Sequence, residues 1–293
     1  MTKARARLLL LLALGTPATS FAQVAAPAAP RTIAQAPDHF FTRADARLRY
    51  REAGRGQPVV LLHGYTQRIE LMQDLADSLS GAFRVIVLDE RGFGESSKFS
   101  DPARYGRPMV EDVIGLLDHL KIRRAHLVGH SMGALVAAQV ALRHPERVAS
   151  ASLLAGPFWP DSAALHQSAE PFVRALERGE GLVPFIKWVF PGIPDSLAVA
   201  FNAQAMPGLD LGSLVASLKA MGGLAVSAGQ HPARSTAVLI AAGTGDPLLP
   251  QSQSLRNRWP EAQYVEVPGA NHDQIRAHGA TIAAIRRVIQ QRP

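Results

Sequence analysis

The chain has 293 residues, 47% hydrophobic and 19% charged, with a formal net charge of +7 and no cysteine. That balance is globular and excludes a disordered chain. The missing cysteines exclude a disulfide framework, a thiol nucleophile and thiolate metal sites, and the scattered basic residues, without runs or aromatic interleaving, read as a solvated surface and not as a nucleic-acid site.

In chain order, Lys3, Arg5 and Arg7 precede an apolar core from Leu8 to Gly15, and Ser20-Phe21-Ala22 offers small residues for cleavage. Residues 1–22 therefore read as a secretory signal peptide, and the protein is expected to be periplasmic or secreted. The Ala/Pro-rich stretch 23–37 reads as a flexible leader. No other run approaches the ~20 apolar residues of a spanning helix, so no stable membrane insertion is expected once the signal is removed.

From Asp38 short β-like runs alternate with helical patterns. Residues 39–54 suggest two short strands joined by a turn. PVVLLHG (58–64), RVIVLDERG (84–92), AHLVGHS (125–131), VASASLLAG (148–156) and STAVLIAAGTGD (235–246) are continuous apolar runs, as fully buried strands require. AQYVEVPGA (262–270) is a shorter one. Helical spacing of apolar residues occupies 69–80, 109–120, 132–144 and 274–290. This alternation predicts a mostly parallel sheet covered by helices on both faces.

Residues 157–232 break the rhythm and read as an inserted helical cap, leaving 38–156 and 233–293 as the core. The cap carries seven aromatics: Phe158, Trp159, Phe172, Phe185, Trp188, Phe190 and Phe201. Most are expected to be core of a small helical layer, with two or three lining an apolar acyl pocket.

Ligands in open α/β sheets bind outside the carboxyl ends of the strands. Ser131, Asp246 and His272 each lie just past a buried run, in that chain order. A serine hydroxyl needs a base within hydrogen-bond reach, imidazole has a suitable pKa, and an acid must fix its tautomer. Ser131 is therefore the candidate nucleophile, His272 the base and Asp246 the orienting acid. Gly129 and Gly133 let the turn around Ser131 close. The Met132 N–H, at a helix start, is a candidate oxyanion donor. The remaining histidines show no ligand spacing, and Gly92 and Gly94 form no dinucleotide fingerprint, so neither metal nor cofactor is expected.

Gly-His-Ser-Met-Gly at 129–133, His63-Gly64, the run Asp89 to Ser96, Gly245-Asp246 and Asn271-His272 together resemble the α/β-hydrolase superfamily, in its lid-containing serine hydrolase branch. The resemblance covers Asp38 to the C-terminus. It implies the α/β-hydrolase fold with a cap and places the second oxyanion donor at the Tyr65 N–H. It makes His63 and Gly64 structural supports, has Asp89 and Arg91 hold their own loop, and names Asp161 as the rival acid. A HGYT loop in place of a HGGG-type one disfavours the bulkier-loop lipases. A serine nucleophile implies an acyl-enzyme and excludes the branches that attack epoxides or halides with Asp. The expected substrate is a small apolar carboxylic ester. The alternatives are an enol-lactone or a C–C bond beside a carbonyl, cofactor-free haloperoxidase or perhydrolase activity, and a non-catalytic binding protein on the same fold. Oligomeric state is not readable.

Overall fold

A computed structural model describes residues 30–291. The expected signal peptide and the leader up to residue 29 lie outside the described residues.

Eight strands form one sheet in the order β1-β2-β4-β3-β5-β6-β7-β8. β1 (His39–Arg43) and β2 (Ala46–Ala53) form the predicted hairpin, and β2 pairs antiparallel with β4 (Arg84–Leu88). β3 (Pro58–Leu62), β5 (Ala125–His130), β6 (Val148–Leu154), β7 (Ala237–Gly243) and β8 (Gln263–Val267) complete it, parallel to β4. Side chains alternate between two cores. Val60, Leu62, Ile86 and Leu88 enter one, and Val59, Leu61, Val85 and Val87 enter the other. Burial on both faces is why these strands read as unbroken apolar runs.

α1 (Gln73–Ser80) packs on one face with the C-terminal helices. α2 (Arg107–His119) and α3 (Met132–Arg143) cover the other. Between β6 and β7 the chain makes α4 (Ser162–Glu177), α5 (Val183–Val189), α6 (Asp195–Ala205) and α7 (Leu211–Ala220), which stand over the carboxyl ends of the strands. α8 (Leu249–Arg258) follows β7.

Two expectations need correction. The leader is docked, not loose, from Pro30 onward. Its Pro30 carbonyl accepts from the Gly54 amide at 2.9 Å, its Ile33 amide donates to Asp77 at 2.7 Å, and the Ile33 side chain is buried against α1 and the sheet. Burial of one isoleucine in an otherwise Ala/Pro-rich stretch outweighs the composition. The closing helix over 274–290 is two: α9 (Gln274–Ala277) and α10 (Gly279–Gln290). His278 between them adopts an extended backbone, ψ 133°, and its ring nitrogen accepts from the Ala280 amide. A residue capping one helix cannot continue the helix before it.

Candidate active site

Ser131 occupies the turn between β5 and α3 with φ 54° and ψ −117°. For a non-glycine residue that conformation costs about 1–3 kcal/mol, and neighbouring structure holds it. The Ser131 amide donates to the Leu154 carbonyl at 2.9 Å. A Cβ on Gly129 would meet the Gly133 carbonyl oxygen at 2.1 Å, and one on Gly133 would meet the Leu62 carbonyl oxygen at 2.3 Å. The two glycines therefore have separate tasks. Gly129 lets the helix fold back onto its own strand, and Gly133 lets α3 press against β3. Met132 is the first residue of α3, where an amide has no partner inside the helix.

His272 lies in the loop after β8. Its Nδ1 is 3.1 Å from both carboxylate oxygens of Asp246, which follows β7. Asp246 in turn accepts from the Leu248 amide at 2.8 Å, and its side chain is fully buried. An Nδ1–H bound to that carboxylate leaves the Nε2 lone pair of His272 free to take a proton. Ser131 and His272 line the same cleft. The rival Asp161 is used elsewhere: it caps α4 by accepting from the Ala164 amide at 2.8 Å.

The loop after β3 supplies the second donor position. Among the described residues the Tyr65 amide donates to no other group. The preceding carbonyl, that of Gly64, is held by the Gln67 amide at 3.1 Å and by His63 Nδ1 at 2.8 Å. His63 Nε2 accepts from the Glu90 amide at 3.0 Å, so His63 is the neutral Nδ1–H tautomer. Burial depresses its pKa and keeps it so. The Tyr65 hydroxyl donates to the Leu214 carbonyl of α7, tying this loop to the cap. Asp89 and Arg91 tie their loop to neighbouring elements. Asp89 accepts from Arg49 and from the Ile69 and Glu95 amides, and Arg91 forms a two-pronged pair with Asp112.

His130, next to the serine, packs against the ring of His272 with centroids 4.9 Å apart, and its Nε2 donates to the His272 carbonyl at 2.9 Å. Burial, together with the neighbouring His272 and Arg276, holds its pKa well below the ordinary value. A neutral imidazole donates from one nitrogen only, so the 3.3 Å contact of its Nδ1 with Gln67 Oε1 is not a second hydrogen bond.

Two cavities meet at Ser131. A wide cleft of about 650 Å³ opens past Phe185, Phe190 and Phe201. A narrow pocket of about 40 Å³ runs between Trp159, Phe172 and Trp188. Tyr65 and Phe185 border both. Six of the seven cap aromatics line a cavity, more than the two or three expected, while Trp159, Phe172, Phe185 and Phe190 also pack against the core and Phe158 is fully buried in it. Among the described residues no group of three His, Asp or Glu side chains is placed to hold a metal, and no helix is long and apolar enough to cross a membrane.

Gln67 and Asp273 were not marked by the sequence. Their bond to each other spans 206 residues of sequence, so neither loop read alone reveals it. At the start of α9 it is the Asn271 side chain that accepts from the Gln274 amide, at 2.9 Å.

The family model for the α/β-hydrolase fold matches residues 57–179. Over 237 residues the chain is 34% identical to the dihydrolipoyllysine-residue acetyltransferase component of the acetoin cleaving system of Pseudomonas putida, covering 77% of this chain and 61% of that one. The chain spans less than two thirds of the length of the curated relatives it matches. Among solved structures, an esterase from Thermogutta terrifontis superposes with TM-score 0.71 at 25% identity over 88% of this chain and 98% of its own. The enol-lactonase from Burkholderia xenovorans LB400 shares the fold, with TM-score 0.72 at 23% identity over 86% of this chain and 100% of its own.

Proposed function

The chain belongs to the α/β-hydrolase superfamily, and on that premise we propose that it is a serine hydrolase that cleaves carboxylic esters of small apolar substrates. One observation carries the reading: the Asp246–His272 pair stands at the cleft that Ser131 lines, with Nδ1 committed to the carboxylate.

In this reading His272 Nε2 removes the Ser131 proton as Oγ attacks the ester carbonyl carbon. The carbonyl oxygen becomes an oxyanion and accepts from the Tyr65 and Met132 amides. The intermediate collapses, the alcohol leaves with the proton held by His272, and the acyl group stays on Ser131. Water then attacks the acyl carbonyl, again giving its proton to His272. The second collapse breaks the Oγ–acyl bond, returns the proton to Ser131 and releases the acid. The cavity pair supports an uneven substrate, with a short acyl group in the narrow pocket and a larger apolar alcohol in the wide cleft. The likeness to an esterase at 25% identity supports ester over lactone.

Purified protein is expected to turn over p-nitrophenyl acetate and butyrate with a burst of p-nitrophenol. Ser131→Ala should reduce the rate by at least about 10³-fold and abolish fluorophosphonate labelling. Equal labelling of wild type and Ser131→Ala would refute the nucleophile. Turnover of lactones with none of open-chain esters would replace the substrate class and keep the mechanism.

A further inference from the structure

Gln67 stands outside the triad and the oxyanion donors, yet its backbone and side chain touch the loops that carry both. We propose that Gln67 is a positioning residue that sets the Tyr65 loop and the His272 loop in one register. The inference rests on the proposed roles of Ser131 and of the Tyr65 amide.

One end of the side chain acts on Gly64. Gln67 Oε1 accepts from the Gly64 amide at 3.0 Å, while the Gln67 amide donates to the Gly64 carbonyl at 3.1 Å. The Gly64 carbonyl and the Tyr65 N–H belong to one planar trans peptide and point in opposite directions. Fixing that carbonyl therefore aims the Tyr65 N–H. Thr66, next in the loop, has φ 66°, an uncommon conformation for a β-branched residue. A loop of that kind needs bonds from its own residues to hold it.

The other end acts on the base. Gln67 Nε2 donates to Asp273 Oδ1 at 3.1 Å, and Asp273 directly follows His272. Arg276 donates to the same oxygen at 3.0 Å and also to the Leu71 carbonyl, closing the bridge between the two loops. Gln67 is nearly buried, at 9% exposure, and lines the cleft. A neutral amide offers an acceptor to Gly64 and a donor to Asp273 at once. A carboxylate at position 67 would oppose the Asp273 carboxylate, and an alkyl side chain would leave the Gly64 N–H unpaired.

The test exchanges the two partners. Gln67→Leu keeps the backbone bond to the Gly64 carbonyl but leaves the Gly64 N–H unpaired and cuts the link to Asp273. It is expected to lower kcat by about 10–100-fold with KM within about threefold, because the loop of the Tyr65 amide and the loop of His272 lose their common register in the transition state. Gln67→Glu should fall at least as far. Adding Asp273→Asn to Gln67→Glu removes the opposed carboxylates and offers the new carboxylate an amide donor, but Arg276 loses the acceptor it shared with Gln67, so kcat should recover in part. A contribution to folding alone would not give that recovery in kcat at constant KM. The proposal is overturned if Gln67→Leu keeps wild-type kcat, or if the double variant is as slow as Gln67→Glu. Wild-type protein without ester turnover or fluorophosphonate labelling would instead bring down the parent reading and this one with it.

Discussion

Asp161 and Asp246 both follow sheet strands, and their surroundings assign them opposite work. Asp246 is fully buried at the imidazole, with both oxygens 3.1 Å from His272 Nδ1. Asp161 spends its carboxylate on the first turn of α4. Asp246→Asn would present an amide that can stabilise the wrong His272 tautomer, and kcat should fall by about 10⁴-fold. Asp161→Ala removes an N-cap and should cost about 1 kcal/mol of stability with kcat within about twofold. Steady-state kinetics and denaturant melts on the two variants separate the roles. An Asp161→Ala enzyme as impaired as Asp246→Asn would transfer the role to Asp161. The candidate residues Ser131, Asp246 and His272 were legible because each terminates an apolar run. Gln67 was not, since its bond to Asp273 and its place beside His130 exist only after three loops converge.

At the scale of elements, the strands were readable and the sheet order was not. Double-sided burial writes each strand as an apolar run, but no run says that β4 lies outside β3. The break at His278 was hidden for a related reason: apolar spacing continues through it, and only the capping bond to Ala280 ends the register. The cap was hardest, because an aromatic facing a cavity and one facing a core have the same sequence signature. Its α4–α5 wall is where chain-length selection should reside. Phe172 and Trp188 meet with centroids 5.5 Å apart, and each packs on Phe185, which borders both cavities. A pocket of about 40 Å³ has room for about three water-sized groups, which fits acetyl to butyryl chains. Trp188→Ala should lengthen the preferred acyl chain and raise kcat/KM for octanoate relative to acetate by about tenfold or more. A p-nitrophenyl ester series measures this. An unchanged optimum would mean that the acyl chain lies in the wide cleft.

For the molecule as a whole, the same burial that shapes the sheet sets how stability responds to pH. His126, on β5, is buried with its Nδ1 2.8 Å from the Ser150 hydroxyl. Burial, aided by the nearby Arg124 charge, lowers its pKa to about 4. His63 and His130 are depressed in the same direction. Glu90 is the opposite case. Burial, with Asp112 and Asp89 nearby, raises its pKa well above the ordinary 4.5, and neither carboxyl oxygen has a hydrogen-bond partner among the described residues, His63 Nδ1 lying 3.7 Å from Oε2. Keeping Glu90 protonated stabilises the fold fully below about pH 4.5 and progressively less as pH rises toward its folded value. Keeping the histidines neutral stabilises it above their unfolded value near 6.5, and that contribution is lost as pH falls. For His126 the loss runs from about pH 6.5 to about 4 and amounts to ~3 kcal/mol. His126→Asn keeps a hydrogen-bonding atom near the Nδ1 position but cannot gain the proton. Its unfolding free energy, measured by denaturant titration between pH 7 and 4, should therefore fall by ~3 kcal/mol less than that of the wild type. The contributions of His63, His130 and Glu90 are common to both proteins, so the difference in slope isolates His126. Parallel curves would mean that His126 carries no part of the acid limb.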